Sequence, residues 1–120
     1  MPDRSPPPRI GFNAALLSLG RDYRAAGIHR YIVALLSALA DTGEVELAAF
    51  GPDARARDVL PRTVDVRPAP SWAARPALRI AWEQVLLPAA LRRARVDLHH
   101  GPAHAMPALA PCPSVVTVHD

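Results

Sequence analysis

The chain has 120 residues, half of them hydrophobic and 21% charged, which suits one globular domain and excludes wholesale disorder. Its formal charge is only +3, and all 14 basic residues are arginines spread along the chain rather than gathered into the stripe that a nucleic-acid binder carries. A single cysteine, Cys112, excludes an internal disulfide framework and makes a reducing, cytoplasmic compartment the expectation.

Met1 to Pro8 is polar and carries three successive prolines. It reads as a disordered leader without the apolar stretch of a signal peptide. Arg9-Ile10-Gly11-Phe12-Asn13 reads as a first strand, with Ile10 and Phe12 on one face and Asn13 at its carboxyl end. Ala15 to Ala26 reads as a loop that leads to Gly27 at the mouth of a helix. In that helix Ile28, Ile32, Leu35, Leu36 and Leu39 form one apolar stripe. Asp41-Thr42-Gly43 ends it, with Gly43 suited to a left-handed cap.

Glu44 to Phe50 alternates as a second strand, and Gly51-Pro52-Asp53 breaks it. Thr63 to Arg67 is a short third strand closed by Pro68 and Pro70. Pro76 to Arg95 is a helical stretch whose expected inner face is Leu78, Trp82, Val85, Leu86 and Ala89. Pro88 bends or splits it, because its ring displaces the Gln84 carbonyl. Arg92, Arg93 and Arg95 complement the helix dipole at its end. Val96 to His99 and Ser114 to Val118 read as the fourth and fifth strands. The fifth is almost purely β-branched, as a buried parallel strand would be.

This alternation predicts an α/β chain with a mainly parallel, Rossmann-like sheet flanked by helices. No apolar run approaches membrane-spanning length, while peripheral contact with a membrane stays open. The sequence stops at His119-Asp120, directly after the fifth strand, where a covering helix would follow. The expected organisation is therefore an incomplete Rossmann-like domain over residues 9–120, with apolar surface left bare at the last strand.

Ligands of parallel α/β sheets bind beyond the carboxyl ends of the strands. Asn13, His99, His100, His119 and Asp120 all fall there. Gly27, with the helix N-terminus behind it, lets an anion approach the backbone. Each has a plainer reading: Gly27 as a turn residue, Asp120 as a helix cap, His119 as a satisfied core histidine. His99 and His100 alternate, so at most one faces the crevice. There is no G-x-G-x-x-G, no phosphate-binding P-loop and no G-x-S-x-G elbow. The acidic ribose partner of a dinucleotide site is missing from the end of strand two.

Several stretches, in order, resemble one family. Arg9-Ile10-Gly11-Phe12-Asn13-Ala14 and Ala26-Gly27-Ile28-His29-Arg30-Tyr31 are followed by Trp82-Glu83-Gln84 with Leu87-Pro88. Asp97-Leu98-His99-His100-Gly101-Pro102 and Cys112-Pro113-Ser114-Val115-Val116-Thr117-Val118-His119-Asp120 complete the set. Together they resemble the N-terminal domain of the family-four (group one) retaining glycosyltransferases of GT-B fold. Ala26 stands where that family often has a second glycine, and His29 replaces a usual small residue.

The resemblance implies transfer of a sugar from a nucleotide-diphosphate-sugar donor to a sugar or lipid-linked acceptor, in polysaccharide or glycolipid synthesis, with no tightly bound cofactor. It implies an acceptor-side role for this domain, at the inner face of the membrane when the acceptor is lipid-linked. His119 and Asp120 take catalytic positions, His119 by hydrogen bonding and electrostatic stabilisation. Gly27, Ile28, His29, Arg30, Asn13 and His100 take donor-phosphate or substrate positions. The family's donor-binding segment belongs to a C-terminal domain, so the resemblance implies that this chain alone is inactive. Two other classes compete. One is a stand-alone α/β ligand-binding module without catalysis. The other is a metal protein using His99, His100, His104, Cys112 and His119, whose spacing fits no standard zinc pattern.

Overall fold

A computed structural model describes residues 6–15, 17, 23–101 and 107–118. Five strands form one wholly parallel sheet in the order β3-β2-β1-β4-β5. They are β1 (Arg9–Asn13), β2 (Glu46–Phe50), β3 (Asp65–Arg67), β4 (Leu98–Gly101) and β5 (Ser114–Val116). Helix α1 (Tyr23–Thr42) joins β1 to β2. The link from β3 to β4 contains α2 (Pro76–Ala81), a π turn (Trp82–Leu86) and α3 (Leu87–Arg93).

Residue alternation along the strands divides the core in two. Phe12, Leu47, Ala49 and Val66 meet Ile32 and Leu36 of α1. Ala48 and Phe50 meet Trp82, Leu87, Leu91 and Ala94 on the opposite side. The α1 stripe is the predicted one. Ile32 and Leu36 are fully buried, while Ile28, Leu35 and Leu39 pack against the same cluster at its margin. Gly43 closes the helix in the left-handed region at φ 66°, as expected of a glycine cap.

Element ends moved for physical reasons. The α1 helix begins at Tyr23, inside the segment expected to be a loop. Ala25 and Ala26 are strong helix formers, so the helix starts four residues before Gly27. The strands β2 and β3 begin two residues later than expected, at Glu46 and Asp65. The β4 strand is displaced to Leu98–Gly101. Its register is set by the Asp97 N–H donating to the Arg9 carbonyl (2.7 Å) and the Arg9 N–H donating to the Asp97 carboxylate (2.8 Å). Among the described residues the β5 strand pairs only with β4. It is an edge strand with Val115 exposed, not the buried strand that its β-branched sequence predicted.

The largest correction concerns the second helical stretch. Pro88 has no N–H to give the Gln84 carbonyl. The chain answers with a π turn, in which the Leu87 N–H reaches the Trp82 carbonyl. One extra residue in that turn rotates everything after it. Leu87 and Leu91 therefore face the sheet together with Trp82 and Glu83, and of the expected inner face only Trp82 is buried, while Leu78, Val85, Leu86 and Ala89 are exposed. At the far end Val96 N–H bonds the Leu91 carbonyl and Arg95 N–H bonds the Arg92 carbonyl. That is a Schellman cap with Arg95, at φ 56°, where glycine is usual. Gly51 is required as it stands: it sits at φ 92°, and a Cβ would lie 2.5 Å from the Trp82 ring.

Candidate functional site

The strand β1 lies between β2 and β4, and the chain leaves β1 in one direction and returns to β4 in the other. The carboxyl ends of β1 and β4 therefore flank the switch point of the sheet, where the connecting segments diverge and where ligands of parallel α/β sheets bind. Two polar groups collect at this edge, one on each side of the sheet.

On the α1 side, His100 stacks flat on Phe12, with ring centroids 4.5 Å apart and 9° between planes. Its register against Phe12 places it there. Its Nε2 lies 3.0 Å from Thr117 Oγ1, and the Tyr31 hydroxyl lies 3.0 Å from the same oxygen. A threonine hydroxyl has one proton. With two lone pairs it also accepts, so Thr117 donates to at most one of these neighbours, and the two contacts tie β4, the segment after β5, and α1 into one relay. Burial lowers the His100 pKa, which favours a neutral ring that can accept or donate.

On the α2–α3 side, Asn13 and Glu83 are both buried. The Asn13 side-chain oxygen accepts from the Ala15 N–H at 3.1 Å, leaving its amide N–H groups to face the Glu83 carboxylate, which it hydrogen-bonds. Arg79 Nε lies 3.5 Å from Glu83 Oε1, one turn away on the helix. Burial pushes the Glu83 carboxyl above its usual range, and Arg79 and Asn13 hold it back in part. The arrangement is a half-compensated buried acid at the end of β1.

His99 and His100 divide as alternation requires. His99 is fully buried, pairs with Gly11 across the sheet, and places Nδ1 3.2 Å from Ser114 Oγ. Its Nε2 has no partner among the described residues. Burial, and then the neighbouring His100, push its pKa down to about 4, so it is a neutral packing group. Cys112 is half-buried, and burial raises its thiol pKa, the opposite of a reactive thiolate. Among the described residues no three His, Cys, Asp or Glu side chains converge as metal ligands do.

Of the residues marked from sequence, Asn13 and His100 reach the switch-point edge. Gly27, Ile28, His29 and Arg30 lie in the second turn of α1. The unbonded N–H groups of a helix are its first four, here those of residues 23–26, so Gly27 is not at the helix mouth as expected. A Cβ built on Gly27 meets nothing within 4 Å among the described residues. Ile28 packs against the core, Arg30 is exposed, and His29 buries Nδ1 without a described partner. His119, Asp120 and His104 lie outside the described residues.

Sequence reasoning gave no role to Tyr31, Thr117 or Glu83. Thr117 sits in a β-branched run and reads as a strand former. Glu83 did carry a signal: it is the one acid among the apolar residues from Ile80 to Leu87, one turn after Arg79. Comparison with protein-family models, curated proteins and solved structures gave no match.

Proposed function

We propose that this chain is the acceptor-side, Rossmann-like half of a GT-B glycosyltransferase that uses a nucleotide-diphosphate-sugar donor. The observation that carries the reading is the pairing of His100 with Thr117 at the carboxyl edge of the sheet beside the β1–β4 switch point, with Asn13 at the same edge on the opposite side of the sheet. Imidazole and hydroxyl groups beside an aromatic ring suit a sugar, since each sugar hydroxyl is both donor and acceptor. The ordered motifs in the sequence add the retaining, family-four character.

In this reading the first turn of α1 offers its free N–H groups to the donor diphosphate. Gly27 contributes by carrying no side chain rather than by an unbonded N–H. His119 and Asp120 take the catalytic roles that the resemblance implies, His119 stabilising charge as it develops. His100, held by Phe12 and Thr117, orients the acceptor. Donor binding needs groups on the other side of the cleft, so this chain alone binds acceptor without turning over donor.

Calorimetry of the purified chain against a panel of mono- and oligosaccharide acceptors tests this. Saturable binding that falls about tenfold or more in His100→Ala, at the level of a lost buried hydrogen bond and its stacked ring, is the expected result. Tight binding of a dinucleotide with no saccharide binding contradicts it. Donor turnover by this chain above a His119→Ala control contradicts the claim that it is inactive alone.

A further inference from the structure

The outward side of the second helical layer carries an apolar stripe that the fold does not use. Leu78, Ala81, Val85, Leu86 and Ala89 recur at helical spacing. Val85 is 67% exposed, Leu86 41% and Leu78 39%, and both alanines are exposed. Ile80 and Trp72, also exposed, belong to the same layer. The π turn sets the second half of this stripe: beyond it Leu87 and Leu91 take the inner side, and Val85, Leu86 and Ala89 lie outside.

The charge around the stripe has one sign. From Ser71 to Arg95 the chain has five arginines and one acid. That acid, Glu83, is buried against Arg79. Arg75 flanks the stripe at its start, and Arg92, Arg93 and Arg95 at its end; all four are exposed. None of the four has an acidic partner within salt-bridge distance among the described residues.

We infer that this face docks the protein on an anionic lipid surface, the stripe entering the headgroup boundary while the arginines pair with lipid phosphates. An exposed apolar row whose own segment carries exposed cations and no exposed acid is the pattern of interfacial helices. A second copy of the chain fits less well. A twofold interface sets the patch against itself, which brings arginine against arginine with no acid to pair. The outer side of a helix is also convex and offers no groove for a partner peptide, whereas a bilayer needs none. The inference stands independently of the transferase reading.

Flotation of the full chain with lipid vesicles tests it. Vesicles of phosphatidylcholine and phosphatidylglycerol in equal parts should carry the chain, and vesicles of phosphatidylcholine alone should not. Arg92→Glu combined with Arg93→Glu should weaken binding about tenfold or more, as should Val85→Asp combined with Leu86→Asp. Val59→Asp, exposed just after the 3₁₀ turn Ala54–Asp58 that packs on the α1 side, should bind as wild type. All variants replace exposed side chains, and an unchanged melting curve confirms that each is folded. Equal binding to both vesicle types, no binding to either, or undiminished binding by the stripe variants overturns the inference. So does a dimer that ignores vesicles and dissociates on Val85→Asp.

Discussion

The two helical layers of this sheet solve the same problem differently. On one side α1 is a single uninterrupted helix, and the apolar stripe in its sequence is the stripe it buries. On the other side the helix is interrupted by the π turn ahead of Pro88, and four of the five residues of its expected inner face are outside. Both segments show clear helical periodicity, so periodicity alone does not separate them. What separates them is one missing N–H, which shifts the hydrogen-bond register by a residue and turns the face with it. The first layer is chiefly structural. The second holds a buried acid inside and an apolar, cationic row outside.

The sharpest way to break this contrast is truncation. Leu36→Ala in α1 and Leu91→Ala in α3 should each cost about 2–5 kcal/mol in urea unfolding. Val85→Ala, on the row that periodicity alone assigns to the core, should cost less than about 0.5 kcal/mol. If Val85→Ala costs as much as Leu91→Ala, the π turn does not set the face.

The buried titratable groups come next. The pKa of His99 is pushed from 6.5 down to about 4 in the fold. Its neutral form is the folded one, so its stability is fully present above pH 6.5 and is lost as pH falls toward 4. The loss amounts to about 3 kcal/mol at most. Glu83 runs the other way. Its raised pKa means that stability falls as pH rises through the shifted value. Thermal melts across this range should show the acid-side loss vanish in a folded His99 variant such as His99→Asn and the opposite slope flatten in Glu83→Gln. An unchanged acid slope in His99→Asn removes His99 as its cause.

Smaller effects sharpen the comparison. Arg95→Gly relieves a left-handed residue in the α3 cap and should stabilise the chain by about 1 kcal/mol. No such gain exists for α1, whose cap already has Gly43. Tyr31→Phe removes one hydrogen bond of the Thr117 relay and should cost about 0.5–1.5 kcal/mol by chemical denaturation. No loss would show that the relay adds nothing to the fold.

Legibility followed the same division. The bounds of β1, the face of α1 and the Gly43 turn were readable because local propensity, spacing and capping agree there. The start of α1 was not, since Gly27 resembled a boundary while the alanines before it extend the helix. The edge position of β5 was hidden because a β-branched run has the same composition in the middle of a sheet as at its rim. Asn13 and His100 were found from a general rule about strand ends. Tyr31 and Thr117 were not, because their meeting joins residues 86 positions apart and depends on strand order. The burial of Glu83 was not readable because a lone acid in an apolar helical run is ordinarily solvated.

The most direct test of the account is amide NMR of the labelled chain titrated with the best-binding saccharide from the acceptor panel. The account predicts that resonances of Asn13, His100, Gly101 and Thr117 shift together and saturably, and that His100→Ala removes the response. Shifts confined to the α2–α3 outer face, or to residues away from the β1–β4 edge, would contradict a sugar site at the switch point.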